Sequence, residues 1–138
     1  MSTVERELLD RIEIRELRAK YSRAIDYEEY EQASDIFTDD AVVHYSNGTC
    51  RGTHEVERYW REKVAYDFSM HTVTMPEISI EGDTATGEWY LLVFYRTPDG
   101  RDGTVMGWYE DEYRCVGGEW RIAEIEMDLT HDTTDYHL

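Results

Sequence analysis

The sequence is short of positive charge. Its 138 residues contain 14 Lys and Arg against 31 Asp and Glu, which gives a formal net charge of −17. A surface with this excess of carboxylates repels nucleic-acid phosphates and anionic lipid headgroups. We therefore expect neither nucleic acid nor a membrane as a partner.

Cysteine and long apolar runs are also scarce. Cys50 and Cys115 stand alone, without the spacing of metal ligands, so neither a disulfide nor a metal site is predicted. No apolar run approaches the length of a membrane span, and the segment MSTVERELLDR is acidic and helical in pattern. We expect a soluble cytoplasmic protein.

Common catalytic motifs are missing as well. The chain has no GxGxxG, no Walker loop, no HExxH and no GxSxG. Nucleotide binding, zinc hydrolysis and the commonest serine-hydrolase chemistry therefore have no sequence support.

Apolar residues are nevertheless abundant enough to build a core. Hydrophobic residues make up 41% of the chain and aromatic residues 13%, and the length suits one domain over 1–138. Ser2 and Glu5 form a capping box that begins a long helix. The apolar face predicted for this helix is Leu8, Leu9, Ile12, Leu17, Tyr21 and Ile25. The opposite, exposed face is predicted to carry Arg11, Arg15, Arg18 and Arg23.

Strands dominate the second half. A second helix over 28–37, a strand over 41–45 and a third helix over 53–66 are predicted first. Period-two patterns then predict strands over 69–80, 84–96, 104–116 and 119–131. Turn residues between these strands favour antiparallel hairpins, and helices followed by a strand meander indicate an α+β fold.

Two of these strands predict a pocket. Trp89, Leu91 and Val93 share one strand face, and Met127 and Leu129 share another, so we expect all five to form apolar walls. The opposite face of the 84–96 strand is apolar too, with Tyr90, Leu92 and Phe94. A strand that is apolar on both faces predicts a core or pocket on the inner side of the sheet and a subunit partner or helices on its outer side.

Four polar residues stand where apolar ones are expected: Tyr21, Asp26, Tyr45 and His71. A carboxylate at the end of a buried helix face needs hydrogen-bond partners, and a histidine is the natural one. Asp26 would then fix the tautomer of His71 and leave its other nitrogen as a base. On spacing alone, ordinary structural roles for all four residues stay open and are the commoner outcome.

The sequence also resembles a known family. Residues 14–26, 43–48, 69–71, 75–80 and 85–91 resemble the SnoaL-like family of the nuclear transport factor 2-like superfamily, and the similarity extends through 118–120. Within it, the pattern is most similar to that of bile acid 7α-dehydratases, and the Asp26 and His71 positions also resemble the dyad of hexachlorocyclohexane dehydrochlorinases and scytalone dehydratases.

The resemblance implies both a fold and a chemistry. The fold is a cone-shaped barrel, in which N-terminal helices pack on a strongly curved, mostly antiparallel sheet around an apolar pocket. The implied activity is a cofactor-independent lyase acting on a small or medium apolar cyclic carbonyl compound by dehydratase-type β-elimination. Tyr21, Asp26, Tyr45 and His71 are the implied catalytic residues, with no metal. The resemblance also implies a homo-oligomer, with a trimer as the first candidate and a dimer as the second.

The alternatives follow from the same residues. An isomerase, a polyketide cyclase or a dehydrohalogenase would use the same dyad, and a non-catalytic ligand-binding or assembly domain would use the same fold. Val93 and Leu129 stand where the dehydratase pattern has an acidic residue and an arginine. We therefore do not predict activity on a bile-acid coenzyme A ester.

Overall fold

The computed structural model describes residues 1–64 and 66–137. Its helices are α1 (Thr3–Asp26), α2 (Ala33–Ile36) and α3 (Thr53–Lys63), with a 3-10 turn over Tyr30–Gln32. Its strands are β1 (Phe37–Tyr45), β2 (Gly48–Arg51), β3 (Phe68–Glu81), β4 (Thr84–Arg96), β5 (Asp102–Val116) and β6 (Glu119–Asp132). None of the described helices is both long and apolar enough to cross a membrane.

The six strands form one sheet in the order β2-β1-β6-β5-β4-β3. The predicted hairpins from β3 to β6 are confirmed as antiparallel pairs. β1 pairs with β6 in parallel, a direction that the long connection between these two strands allows. With α1 packed against β3 and β6, the architecture is the predicted α+β fold of helices on a curved, mostly antiparallel sheet.

Three boundaries differ from the sequence prediction. The helix predicted over 28–37 is only a 3-10 turn followed by α2, because Phe37 is buried and already pairs with Ile122 of β6. Pairing with the sheet therefore overrides local helix propensity there. β2 is a strand that was not predicted, and α3 ends at Lys63, before the predicted limit of 66. Residue 65 lies outside the described residues.

The buried face of α1 was also predicted only in part. Ser2 accepts a hydrogen bond from the Glu5 amide at 3.1 Å, which confirms the cap. Leu17, Tyr21 and Ile25 are buried as predicted, but Leu8 and Ile12 are more than half exposed. Asp10 and Ile14 are buried in their place, so the covered face of α1 continues along Asp10, Ile14 and Tyr21 rather than along Leu8 and Ile12.

Arg18 is the largest departure, because the predicted exposed arginine is 1% exposed. Its Nε and Nη2 atoms each donate to a different oxygen of Asp111 on β5, both at 3.0 Å. Its guanidinium carbon lies 3.7 Å from the ring centroid of Tyr109 and 4.3 Å from that of Tyr21. The two rings face the guanidinium in a cation–π arrangement, which compensates for Nη1, an atom without a hydrogen bond in the described chain.

The neighbouring groups keep the Arg18 guanidinium charged. Burial alone would lower the pKa of Arg18, but the Asp111 carboxylate and the neighbouring tyrosine hydroxyls together outweigh it, and the pKa lies above its usual value. Burial raises the pKa of Asp111, although the Arg18 cation and the hydrogen bond from Tyr113 oppose this shift. Tyr113 donates to Asp111 at 2.5 Å and accepts from the Trp89 indole at 2.9 Å. Four side chains from α1, β4 and β5 thus form one buried polar network.

The outer face of the sheet carries a row of like charges. Glu77, Glu88, Glu110 and Glu126 lie directly opposite one another on β3, β4, β5 and β6, and all four are exposed. We call these four residues the glutamate row. His44 of β1 continues the same row beyond Glu126. Like charges in directly opposed positions destabilise a sheet, so the row lowers the stability of this face.

The buried pair predicts a non-additive double-mutant cycle. Arg18→Met leaves the Asp111 carboxylate buried without its cation, so we expect a loss of about 3–5 kcal/mol in the free energy of unfolding. Asp111→Leu should cost a similar amount, whereas the double variant should be more stable than either single variant. Urea denaturation of the four proteins measures this, and additive losses would contradict it.

The glutamate row predicts a salt-dependent stabilisation. Glu110→Gln removes a charge that faces a glutamate on either side, so we expect a gain of about 0.5–1 kcal/mol at low salt. The gain should shrink in about 1 M salt, where the screening length falls to about 3 Å. Thermal unfolding with and without salt is the measurement. Glu62→Gln, on the exposed surface of α3, is the matched control and should gain little.

Candidate active site

A cavity of about 270 Å³ lies between the helices and the inner face of the sheet. Its walls are mostly apolar and aromatic, with a few polar groups, as is typical of a small-molecule site. The lining side chains include Tyr21, Tyr45, Lys63, Tyr66, His71, Leu91, Val93, Tyr109, Met127, Leu129 and His137.

His71 and Asp26 form the predicted pair. The His71 Nδ1 atom lies 2.6 Å from Oδ1 of Asp26, and the side chains are 6% and 12% exposed. A carboxylate accepts only, so Nδ1 carries the proton and donates it. The His71 backbone amide donates to Oδ2 at 2.9 Å, which fixes the orientation of the carboxylate. Nε2 is then the unprotonated nitrogen of the neutral ring, on a residue that lines the cavity.

Asp26 is held as a carboxylate. Burial alone would raise its pKa, but the hydrogen bonds from His71 and Ser69 outweigh it, and the pKa of Asp26 lies below its usual 3.8. The Ser69 hydroxyl donates to Oδ1 at 2.7 Å. Asp26 is at the end of α1 while Ser69 and His71 begin β3, so the pair ties the helix to an edge strand of the sheet.

A second group of polar atoms surrounds Tyr45. Its hydroxyl oxygen accepts from the Trp60 indole at 2.7 Å and lies 3.0 Å from the hydroxyl of Tyr21. The Tyr21 ring also packs edge to face with that of Tyr109, with 6.1 Å between the centroids, and Tyr109 faces Arg18. If Tyr21 donates to Tyr45, the Tyr45 proton is left for the cavity. Burial raises the pKa of Tyr45, so this hydroxyl stays protonated and can act as a donor.

The cavity brings together most of the residues that the sequence singled out. Tyr21, Tyr45 and His71 line it, and Asp26 stands behind His71. The predicted wall residues Leu91, Val93, Met127 and Leu129 also line it.

Trp89 does not line this cavity, so its prediction as a wall residue is wrong. It shares a strand face with Leu91 and Val93. Its indole, however, donates to the hydroxyl of Tyr113, which in turn donates to Asp111 of the buried pair. Strand parity predicts the face of a residue, but it cannot predict where along that face the open cavity ends.

Sequence reasoning missed several lining residues. Tyr66 and His137 line the cavity, and their side chains are 2.5 Å apart at the hydroxyl and Nε2. Tyr66 lies just after α3 and His137 after β6, where no periodic pattern predicts which way a side chain points. Lys63 contributes a cation to the lining, although it is largely exposed.

One group in the described residues has the spacing of metal ligands. His44, Glu124 and Glu126 place their ligand atoms within 4.8 Å of one another on the sheet. The His44 Nε2 atom already lies 2.8 Å from a Glu124 oxygen, so a hydrogen bond accounts for the pairing of these two side chains. The group does not line the cavity.

Solved structures share the fold. A hexachlorocyclohexane dehydrochlorinase of the LinA type 2 superposes with a TM-score of 0.89 at 20% identity, covering 96% of this chain and 92% of its own. A Novosphingobium aromaticivorans protein assigned as a scytalone dehydratase superposes with a TM-score of 0.89 at 23% identity, covering 99% and 93%. At these identities the likeness concerns the fold.

Sequence comparison goes further. An uncharacterized protein of Mycobacterium tuberculosis is 30% identical over 123 residues, which cover 84% of this chain and 82% of that protein. Residues 6–126 match the family model of the SnoaL-like domain. The fold, this match and the relative agree with the resemblance seen in the residues around Asp26 and His71, and the chain belongs to the SnoaL-like family.

Proposed function

We propose that the protein is a cofactor-independent lyase that removes a proton and a leaving group from a small apolar cyclic carbonyl compound. The observation that carries this proposal is the hydrogen bond of 2.6 Å between His71 and Asp26 at the wall of an apolar cavity. Similarity to proteins named as a dehydratase and a dehydrochlorinase supports the reaction type. Removal of the proton needs from the protein a base, a donor for the carbonyl oxygen and an apolar cavity.

His71 is the proposed base. Its Nε2 atom would take the acidic proton next to the substrate carbonyl, and the ring would become an imidazolium. The Asp26 carboxylate stabilises this cation through the hydrogen bond to Nδ1, since its pKa is held low and it keeps its charge. Asp26 is therefore a positioning residue in this proposal.

Tyr45 is the proposed donor to the developing enolate oxygen. Its oxygen accepts from Trp60 and can accept from Tyr21, which directs its own proton to the cavity. A donor that is fixed before the reaction stabilises charge without reorganising, and its effect is larger in a dry site. Leu91, Val93 and Met127 supply the apolar walls.

The proposed base predicts a loss of elimination in a His71 variant. Two probes report on it: nitrobenzisoxazole, which opens to a coloured phenolate once a base removes its proton, and β-hydroxycyclohexanone, which loses water to give an absorbing enone. We expect His71→Ala to lower kcat/KM by about 10²- to 10⁴-fold on both, the usual contribution of a general base. Asp26→Asn should lose part of this factor, because the ring loses its fixed tautomer.

His54→Ala is the matched control, since His54 is exposed at the start of α3. It should keep wild-type rates on both probes. Circular dichroism of each variant checks that the fold is kept. Equal rates for wild type and His71→Ala would remove His71 as the base, and a wild-type protein inert toward both probes would argue for a ligand-binding domain.

We also propose that the protein is a homo-oligomer. A trimer is the first candidate for its oligomeric state and a dimer is the second. Met70, Tyr90, Phe94, Met106 and Trp108 are exposed large side chains on the same outer region of β3, β4 and β5. Their register places Tyr90 opposite Trp108 and Phe94 opposite Met70, so they form one continuous patch. Exposed apolar patches of this kind mark interaction surfaces.

The patch predicts that a charge placed on it weakens association. We expect light scattering to give a trimer mass for the wild type and a lower mass for Phe94→Glu at the same concentration. The exposed Val4→Glu on α1 is the control and should keep the wild-type mass. A wild-type protein that stays monomeric at micromolar concentration would refute the oligomer.

A further inference from the structure

A second histidine with a buried carboxylate faces the same cavity. The His137 Nδ1 atom lies 2.7 Å from Oδ2 of Asp132, and the side chains are 15% and 1% exposed. The His137 backbone amide donates to the same oxygen at 2.8 Å. This arrangement repeats that of His71 and Asp26, in which both the ring and the amide of the histidine bind one carboxylate.

Asp132 is built into its place. Its Oδ1 atom accepts from the Tyr95 hydroxyl and from the Thr134 amide. Burial alone would raise its pKa, but the hydrogen bonds from Tyr95 and His137 outweigh it and lower the pKa of Asp132 to about 2. Gly103 leaves room for the Tyr95 ring, because a Cβ atom at this position would clash with it. The carboxylate therefore keeps its charge and fixes the His137 ring.

Tyr66 connects this pair to the cavity. Its hydroxyl lies 2.5 Å from Nε2 of His137, and its ring centroid lies 6.4 Å from that of His71. Tyr66, His71 and His137 all line the cavity. Burial raises the pKa of Tyr66, so the hydroxyl keeps a proton in its resting state. A packing role for residues 133–137 would need only apolar side chains here, not a fixed imidazole and a hydroxyl aimed at each other.

We propose that Tyr66, His137 and Asp132 form a second proton-transfer unit, which protonates the leaving group, and that the substrate therefore loses a hydroxyl as water and not a halide. This inference rests on the lyase function proposed above. A halide departs as a stable anion and needs no acid, whereas a hydroxyl departs poorly unless it receives a proton. A cavity with two proton-transfer units therefore suits a substrate that loses a hydroxyl.

The proposed elimination involves three proton transfers. The substrate C–H bond breaks, its proton passes to Nε2 of His71, and its electron pair forms the new C=C bond as the C–O bond breaks. The departing oxygen takes the Tyr66 hydroxyl proton and leaves as water. The Tyr66 oxygen takes a proton from Nε2 of His137, which starts as an imidazolium and ends neutral. Proton exchange with solvent then restores both histidines.

The test compares two probes that differ in their need for an acid. β-Hydroxycyclohexanone requires both proton removal and protonation of its hydroxyl, whereas nitrobenzisoxazole releases a stabilised phenolate and requires only a base. We expect Tyr66→Phe and His137→Gln to lower kcat/KM for water loss by about 10²- to 10⁴-fold. The ratio of the water-loss rate to the nitrobenzisoxazole rate should fall by nearly the same factor.

Asp132→Asn tests the positioning residue. It should lower the same ratio, because His137 loses the carboxylate that stabilises its imidazolium. His131→Gln, an exposed histidine of β6, is the matched control and should leave both rates as in the wild type. Thermal unfolding of each variant accompanies the kinetics.

The outcomes separate the two proposals. If Tyr66→Phe and His137→Gln lower both rates in parallel, the unit has only a structural role and the inference is overturned. Unchanged water loss in these variants overturns it as well. If His71→Ala keeps wild-type rates on both probes, the lyase proposal itself fails, whatever the Tyr66 and His137 variants do.

Discussion

The buried contact between Arg18 and Asp111 is the constraint on which the site depends. It joins the middle of α1 to the middle of β5, two elements far apart in sequence. The guanidinium also faces the rings of Tyr21 and Tyr109, whose hydroxyls lead toward Tyr45. Because a buried charge without its partner is costly, the pair favours the register in which α1 brings Arg18 to Asp111. That register brings the end of the helix, with Asp26, beside His71.

Much of this arrangement could be predicted from local patterns. The capping box at Ser2 and the period-two patterns of β3 to β6 reflect short-range rules, and the structure follows them. Tyr21, Tyr45, Asp26 and His71 were found because they are polar residues at positions where the pattern calls for apolar ones. The similarity of their surrounding segments to the SnoaL-like family then identified the site.

The remainder depends on contacts between distant segments. Arg18 was assigned to the exposed face because no residue near it in sequence indicates that it pairs with Asp111, which lies 93 positions away. Phe37 was placed in a helix because its pairing with Ile122 involves the other end of the chain. His137 has no signal in the sequence for the same reason, since its partner Tyr66 lies 71 positions earlier. Local propensity carries no information about such partners.

The glutamate row has a consequence for what can enter the molecule. Its four carboxylates cover the back of the strands whose inner faces line the cavity, and the chain as a whole carries a net charge of −17. The resulting negative potential repels anions approaching from solution. A substrate attached to a phosphorylated carrier would meet this repulsion, whereas a free, uncharged ketone would not.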